Sequence, residues 1–394
     1  MRGAFVILLC LALLGARPAR AENALIEVAY LALKQSHAPA ASLLDQPPTD
    51  EGIQGARLGI ADNATTGRFV NQTWRLEEAV EEDGASIVAR FRALAAQGQR
   101  LFITDLPAPL LLQAADLPEA KQATIIDATS RDDRLRGADC RANVLHALPS
   151  RAMLADALMQ YLSLKRWRDL LLVVGRDEAD QALAEAFRRS AKKFDLRIVA
   201  AKPWTFVPGA RRTDSGNNAI GPEVASFTQG ISYDVLLVAD EAGNFANELG
   251  YRTAAPRPLA GSVGLVPTAW APPFEQWGAT QLQSRFLRQA GRRMTTRDYG
   301  AWLAVRAFGE AATRSNSADP ATVGAYVRSD AFQLAGFKGV ELSFRSWDGQ
   351  LRQPVLLADD RSVVSVSPQR GFLHQSSTLD TLGSDQPETQ CHMH

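Results

Sequence analysis

Residues 170–194 read LLLVVGRDEADQALAEAFRRSAKKF. Leu170 to Val174 are apolar without alternation, so the strand they form is covered on both faces, as in a parallel sheet. From Glu178 the pattern changes. Ala179, Leu183 and Phe187 recur at helical spacing, and the helix runs to Lys193. A fully buried strand feeding straight into an amphipathic helix is one unit of a doubly wound α/β fold.

The same unit recurs on both sides. Leu25–Leu33, Leu101–Asp105 (LFITD), Thr124–Asp127 (TIID) and Val235–Asp240 (VLLVAD) read as strands. Ser86–Ala96 carries Ile87, Phe91 and Leu94 on one helical stripe. Ala152–Trp167 carries Leu154, Leu158 and Leu162, with Ser150 placed to cap it. The alternation occurs twice, from Leu25 to Leu148 and from Arg151 to Pro258. A Pro/Gly-rich stretch, Pro256–Pro273, follows. Glu275–Arg314 is helical but interrupted near Thr295, which predicts two helices. Within Gly339–Leu357, Val340, Leu342 and Phe344 alternate with polar residues, Trp347-Asp348-Gly349-Gln350 supplies a turn and Val355-Leu356-Leu357 follows, which predicts an antiparallel hairpin. From Ser376 the chain turns polar.

The N-terminus carries Arg2, an apolar run from Ala4 to Leu14, and Ala19-Arg20-Ala21. That is the pattern of a secretory signal cleaved before Glu22, and the apolar run is short of the about 20 residues a membrane span needs. The remainder of the 394-residue chain exceeds the about 250–300 residues at which one core stops growing, so two domains are expected. The chain has 43 basic and 43 acidic side chains, and loss of Arg2, Arg17 and Arg20 with the signal would leave 40 basic, a balance near −3 that gives no field to attract nucleic acid. Cys10 leaves with the signal. Cys140 and Cys391 remain, either as one disulfide or as two free thiols. The sequence has no C-x-x-C, no H-E-x-x-H and no histidine cluster, so no metal site is expected.

No G-x-S-x-G elbow and no G-x-G-x-x-G after the first strand appear, so neither a common hydrolase nor a dinucleotide enzyme is indicated. No catalytic residue is expected. Of the histidines before the tail, His37 carries no pattern, and His146 lies in an apolar run and reads as a buried or hinge residue. In a doubly wound sheet ligands bind beyond the carboxyl ends of strands. Asp105, Asp127 and Asp240 end three strands. Thr129, Ser130 and Arg131 follow Asp127, Glu241 follows Asp240, and Arg176-Asp177 follows Gly175. The same residue types cap helices, so each has a structural alternative. Lys34 and Arg151 are further basic residues near these edges. Trp270, after the Pro-rich stretch, is the candidate for stacking on a flat ligand.

The layout resembles the periplasmic substrate-binding proteins of the leucine/isoleucine/valine type, the type I periplasmic binding fold. Asn143–Ser150 (NVLHALPS), Tyr233–Asp240 (YDVLLVAD) and Gly261–Pro267 (GSVGLVP) carry the resemblance. It implies two doubly wound lobes joined by a three-strand hinge. Lobe 1 would comprise residues 22–148 and 263–336, lobe 2 residues 149–262 and 337–372, and 373–394 a tail. The likeness narrows at PRPLAGSVGLVPTAW (256–270), EQWGATQLQSRF (275–286), FKG (337–339), WDGQLRQP (347–354), PQRGFLHQ (368–375) and LDTLG with PETQC in the tail. These are similar to binding proteins encoded beside pyrroloquinoline-quinone-dependent alcohol dehydrogenases. The resemblance implies a monomeric periplasmic protein that serves an ABC transporter permease. It needs no cofactor and holds a small ligand, with pyrroloquinoline quinone itself as one candidate. An aliphatic amino acid and a metal ion are the other ligand classes. A sensory or accessory role beside the dehydrogenase is the other functional class. Family members place an aromatic residue after the second-lobe strand. Arg176-Asp177 stands there instead, which favours an anionic ligand.

Overall fold

The structure is a computed structural model that describes residues 24–35, 47–205 and 221–393. The expected signal segment and His37 lie outside the described residues. The first half comprises β1 (Ala24–Leu33), α1 (Ile53–Gly67), β2 (Gln72–Glu81), α2 (Gly84–Ala96), β3 (Leu101–Asp105), α3 (Ala108–Ala115), β4 (Thr124–Asp127) and β5 (Val144–His146). Its strands form one parallel sheet in the order β2-β1-β3-β4-β5.

The second set comprises α4 (Arg151–Leu164), β6 (Asp169–Val174), α5 (Glu178–Lys193), β7 (Arg197–Pro203), α6 (Gly221–Thr228), β8 (Val235–Ala239) and β9 (Leu259–Gly261). Its sheet is parallel, ordered β7-β6-β8-β9. Leu171, Leu172 and Val173 of β6 are fully buried, as a strand covered on both faces must be. Ser150 accepts a hydrogen bond from Met153 N and starts α4. Asp177 and Asp180 form a capping box at the start of α5.

The chain then passes through β10 (Val266–Thr268) to α7 (Ala279–Ala290), α8 (Thr296–Arg314) and α9 (Pro320–Val327). The expected interruption near Thr295 is real: Thr295 and Asp298 form the capping box that begins α8. This helix packs along α1 at very short range. A Cβ at Gly55 would sit 1.8 Å from the Asp298 carbonyl oxygen, so only glycine permits the approach. Leu282, Phe286, Trp302 and Phe308 from these helices join Ile26, Val28 and Ile126 in the core of lobe 1.

Five short strands complete the fold: β11 (Leu334–Ala335), β12 (Glu341–Phe344), β13 (Leu351–Arg352), β14 (Val355–Ala358) and β15 (Val363–Ser367). A hairpin does form around Trp347–Gln350, but it pairs β12 with β13, and not with Val355–Leu357 as expected, because the tight turn returns the chain at once to Leu351–Arg352. It does not join the second lobe, where residues 337–372 were expected. Its Leu342, Phe344 and Leu351 pack into the first lobe's core. The reason is local, because Gly349 O accepts from His146 N and ties the turn to the edge of β5. Val355–Leu357 belongs to a separate antiparallel sheet, β10-β14-β15, which packs on α4 where the chain passes between lobes. Along β14 the side chains alternate between the two cores. Val355 and Leu357 lie in the second-lobe cluster, Leu356 and Ala358 in the first. Cys140 and Cys391 form a disulfide. Among the described residues no helix is long and apolar enough to cross a membrane.

Candidate functional site

A cleft of about 1120 Å³ opens between the lobes. From lobe 1 it takes the end of β3, the loop after β4 and the first turn of α8. Lobe 2 contributes the first turn of α4, one face of α5 and Glu241 of the loop after β8. These are strand carboxyl ends and helix N-termini, where a parallel sheet places ligands.

Asp105 organises the lobe 1 wall. Arg297 grips it with two bonds, Nε to Oδ2 at 2.7 Å and Nη2 to Oδ1 at 2.6 Å. Tyr30 OH donates to Oδ2 at 2.9 Å, and Thr129 Oγ1 donates to Oδ1 at 2.7 Å. Both carboxylate oxygens are thus saturated, and Asp105 is 1% exposed. It fixes its neighbours and has little capacity left for a ligand.

The Thr129–Arg131 loop is held from below. Asp127 Oδ1 accepts from Thr129 N and Ser130 N at 3.2 and 3.0 Å. His146 Nδ1 lies 2.9 Å from Asp127 Oδ2, and burial pushes the imidazole pKa down. The buried Arg136 donates to Ser130 O, Asp132 O and Leu148 O. His146 is therefore a buried structural residue at the hinge edge.

Arg131 lines the cleft and makes no hydrogen bond or ion pair with its side chain among the described residues. Burial lowers its pKa; Glu241 counters that, while Arg151 and Arg297 add repulsion. Across from it, Arg151 and Glu241 form a two-pronged pair, Nε to Oε2 at 2.6 Å and Nη2 to Oε1 at 2.9 Å. Ser130, Thr129, Arg131, Arg151, Glu241 and Asp105 are thus gathered around one cleft. Arg297 and Glu51 also line it, and sequence reasoning missed both. Burial pushes the Glu51 carboxyl pKa up, against a hydrogen bond with Thr295. The available signal for Arg297 was the Thr295-x-x-Asp298 capping box, which sets it in a helix's first turn.

Four expected ligand contacts lie elsewhere. Asp240 faces its own loop: Oδ1 accepts from Asn244 N, and Oδ2 from Phe245 N and Ala246 N, at 2.8, 2.7 and 2.6 Å. Arg176 reaches back to donate to Trp204 O and Thr205 O. Lys34 makes an exposed ion pair with Glu82. Trp270 is buried in lobe 1, stacked on Tyr299 at 4.6 Å, because its apolar ring fills the core behind the hinge. Among the described residues that line the cleft none is aromatic. Among the described residues no three His, Cys, Asp or Glu side chains converge to hold a metal ion. Asp105 is engaged by Arg297, Asp240 by backbone amides and Glu241 by Arg151. The lobes touch across the cleft through Arg189 Nη2 and Asp133 Oδ2 at 2.7 Å.

No protein-family model matches the chain, and no curated protein matches its sequence. Solved structures do match. A branched-chain amino acid ABC transporter periplasmic ligand-binding protein from Burkholderia xenovorans LB400 superposes with a TM-score of 0.70 at 14% identity, covering 93% of this chain and 99% of that one. The chain has the type I periplasmic-binding fold. A periplasmic binding protein from Burkholderia mallei gives 0.67 at 13% identity, covering 94% and 99%. An ABC transporter solute-binding protein from R. palustris, in complex with benzoate, gives 0.64 at 11% identity, covering 93% and 99%. At such identities the likeness concerns the type I fold, with two parallel-sheet lobes around a cleft.

Proposed function

We propose that the chain is a periplasmic solute-binding protein of an ABC importer and holds a small carboxylate-bearing ligand in the interlobe cleft. One observation carries the ligand class: beside Thr129 and Ser130, Arg131 brings to the cleft wall a guanidinium that makes no hydrogen bond or ion pair among the described residues. An unpaired, largely desolvated cation is costly, and a ligand carboxylate supplies the missing counter-charge in a two-pronged bond. Two similar structures hold carboxylates, leucine in one and benzoate in another. Closure of the lobes around the ligand is a hinge motion that needs no catalytic group. The reading includes an exported monomer that docks a permease.

Pyrroloquinoline quinone, with three carboxylates, meets the charge requirement and belongs in the ligand panel. Among the described residues the cleft offers it guanidinium groups but no aromatic face. Isothermal titration of the purified protein with pyrroloquinoline quinone, benzoate, leucine and the neutral control benzyl alcohol tests the proposal. A bound ligand at 100 times its Kd raises stability by about 2.7 kcal/mol, so thermal melting gives a second readout. At least one carboxylate should bind and the neutral control should not. Binding of none of the carboxylates, or equal binding of benzyl alcohol, would overturn it.

A further inference from the structure

The tail is not a loose end. Leu382 is fully buried in the lobe 2 core, and Lys193 Nζ donates to Gly383 O at 2.9 Å. Gly383 N donates to Asp156 Oδ2 at 2.9 Å. Asp156 is on α4 and Lys193 ends α5, so this stretch is held by lobe 2.

The same stretch is gripped from the other side. Buried Arg345 donates from Nε to Asp380 Oδ1 at 2.8 Å and from Nη2 to Leu382 O at 2.8 Å. Arg352 Nε donates to the same carboxylate oxygen at 2.8 Å. Arg345 follows β12, whose core contacts are with lobe 1, and its turn is tied to β5. Nine positions after Leu382, Cys391 is bonded to Cys140. Cys140 lies between β4 and β5 of lobe 1, at the far end of the loop that begins with Thr129-Ser130-Arg131.

We infer that residues 379–391 form a strap across the hinge that couples the lobes and positions the Arg131 loop for ligand. Any change in lobe angle must shear the contacts of residues 380–383 on one side or the other, and the disulfide prevents the strap from leaving lobe 1. A loop pinned at both ends meets its ligand with less ordering cost. The inference rests on the binding-protein reading for its effect on ligand, but its mechanical part does not.

The test compares the full chain with Cys391→Ser, and with the wild-type chain after reduction, first without ligand. Hydrogen exchange of amides 131–140 and of the start of α4 should speed by about tenfold or more, while β6 and β8 stay protected and show the variant folded. Small-angle scattering should show a broader spread of lobe separations. For whichever carboxylate binds the wild-type protein, affinity should fall by about threefold to tenfold. Faster exchange confined to residues 385–393, with unchanged scattering, would overturn the inference. Since exchange and scattering need no ligand, its failure is distinguishable from failure of the proposed function.

Discussion

Two aspartates end strands at the same level of the fold and do opposite things. Asp105, at the end of β3, turns across its lobe to Arg297, Tyr30 and Thr129 and shapes the cleft wall. Asp240, just after β8, turns inward and collects three backbone amides of the loop that follows it. The arginines differ likewise. Arg131 in lobe 1 has no hydrogen-bond or ion-pair partner among the described residues, whereas Arg176 in lobe 2 is spent on the carbonyls of Trp204 and Thr205. A polar residue at a strand end serves its own loop as readily as a ligand. Which it does depends on whether the loop returns to it.

The comparison can be broken in four places. The largest effect is expected for Asp105→Ala, which strands Arg297 and leaves Tyr30 and Thr129 without their acceptor. Breaking a buried pair costs about 3–5 kcal/mol, to be read by denaturant unfolding, and ligand binding should be lost with it. Asp240→Ala should cost about 2–3 kcal/mol, because buried amides lose a charged acceptor. Ligand affinity should fall far less than for Asp105→Ala; equal losses would erase the contrast between the lobes. Arg131→Gln should leave the ligand-free protein at least as stable as the wild type, because it removes a costly charge from the cleft wall. It should weaken a carboxylate ligand by about 1–3 kcal/mol, measured by titration, with no effect on a neutral one. The smallest effect belongs to Arg176→Ala. It should cost about 1 kcal/mol of stability from two lost bonds to carbonyls and leave ligand affinity unchanged.

The strands legible in the sequence were mostly those buried on both faces: β1 was read from its largely apolar stretch, and β3, β4, β6 and β8 announce themselves as apolar runs. β2 did not, because it is an edge strand. Only Gln72, Trp74 and Ala79 are buried in it, while Glu77 and Glu78 pair with Arg90 and Arg57 on the surface. Of the cleft, the loop after β4 and Glu241 followed from where strands end and Arg151 from its place near such an edge, but not that Arg151 and Glu241 pair with each other. Arg297 could not be read that way. It stands almost two hundred positions after Asp105 in sequence, and only the close contact of α8 with α1 brings the first turn of α8 to the cleft. Trp270 was misplaced for a related reason, since a tryptophan beside a crossover serves the core as well as it would a ligand.

The alternation along β14 makes one four-residue strand a party wall between two interiors. Neither lobe can melt without exposing side chains that the other's wall depends on. Heating should therefore record a single calorimetric transition for a molecule that looks like two domains, with the lobes free to rock but not to unfold alone.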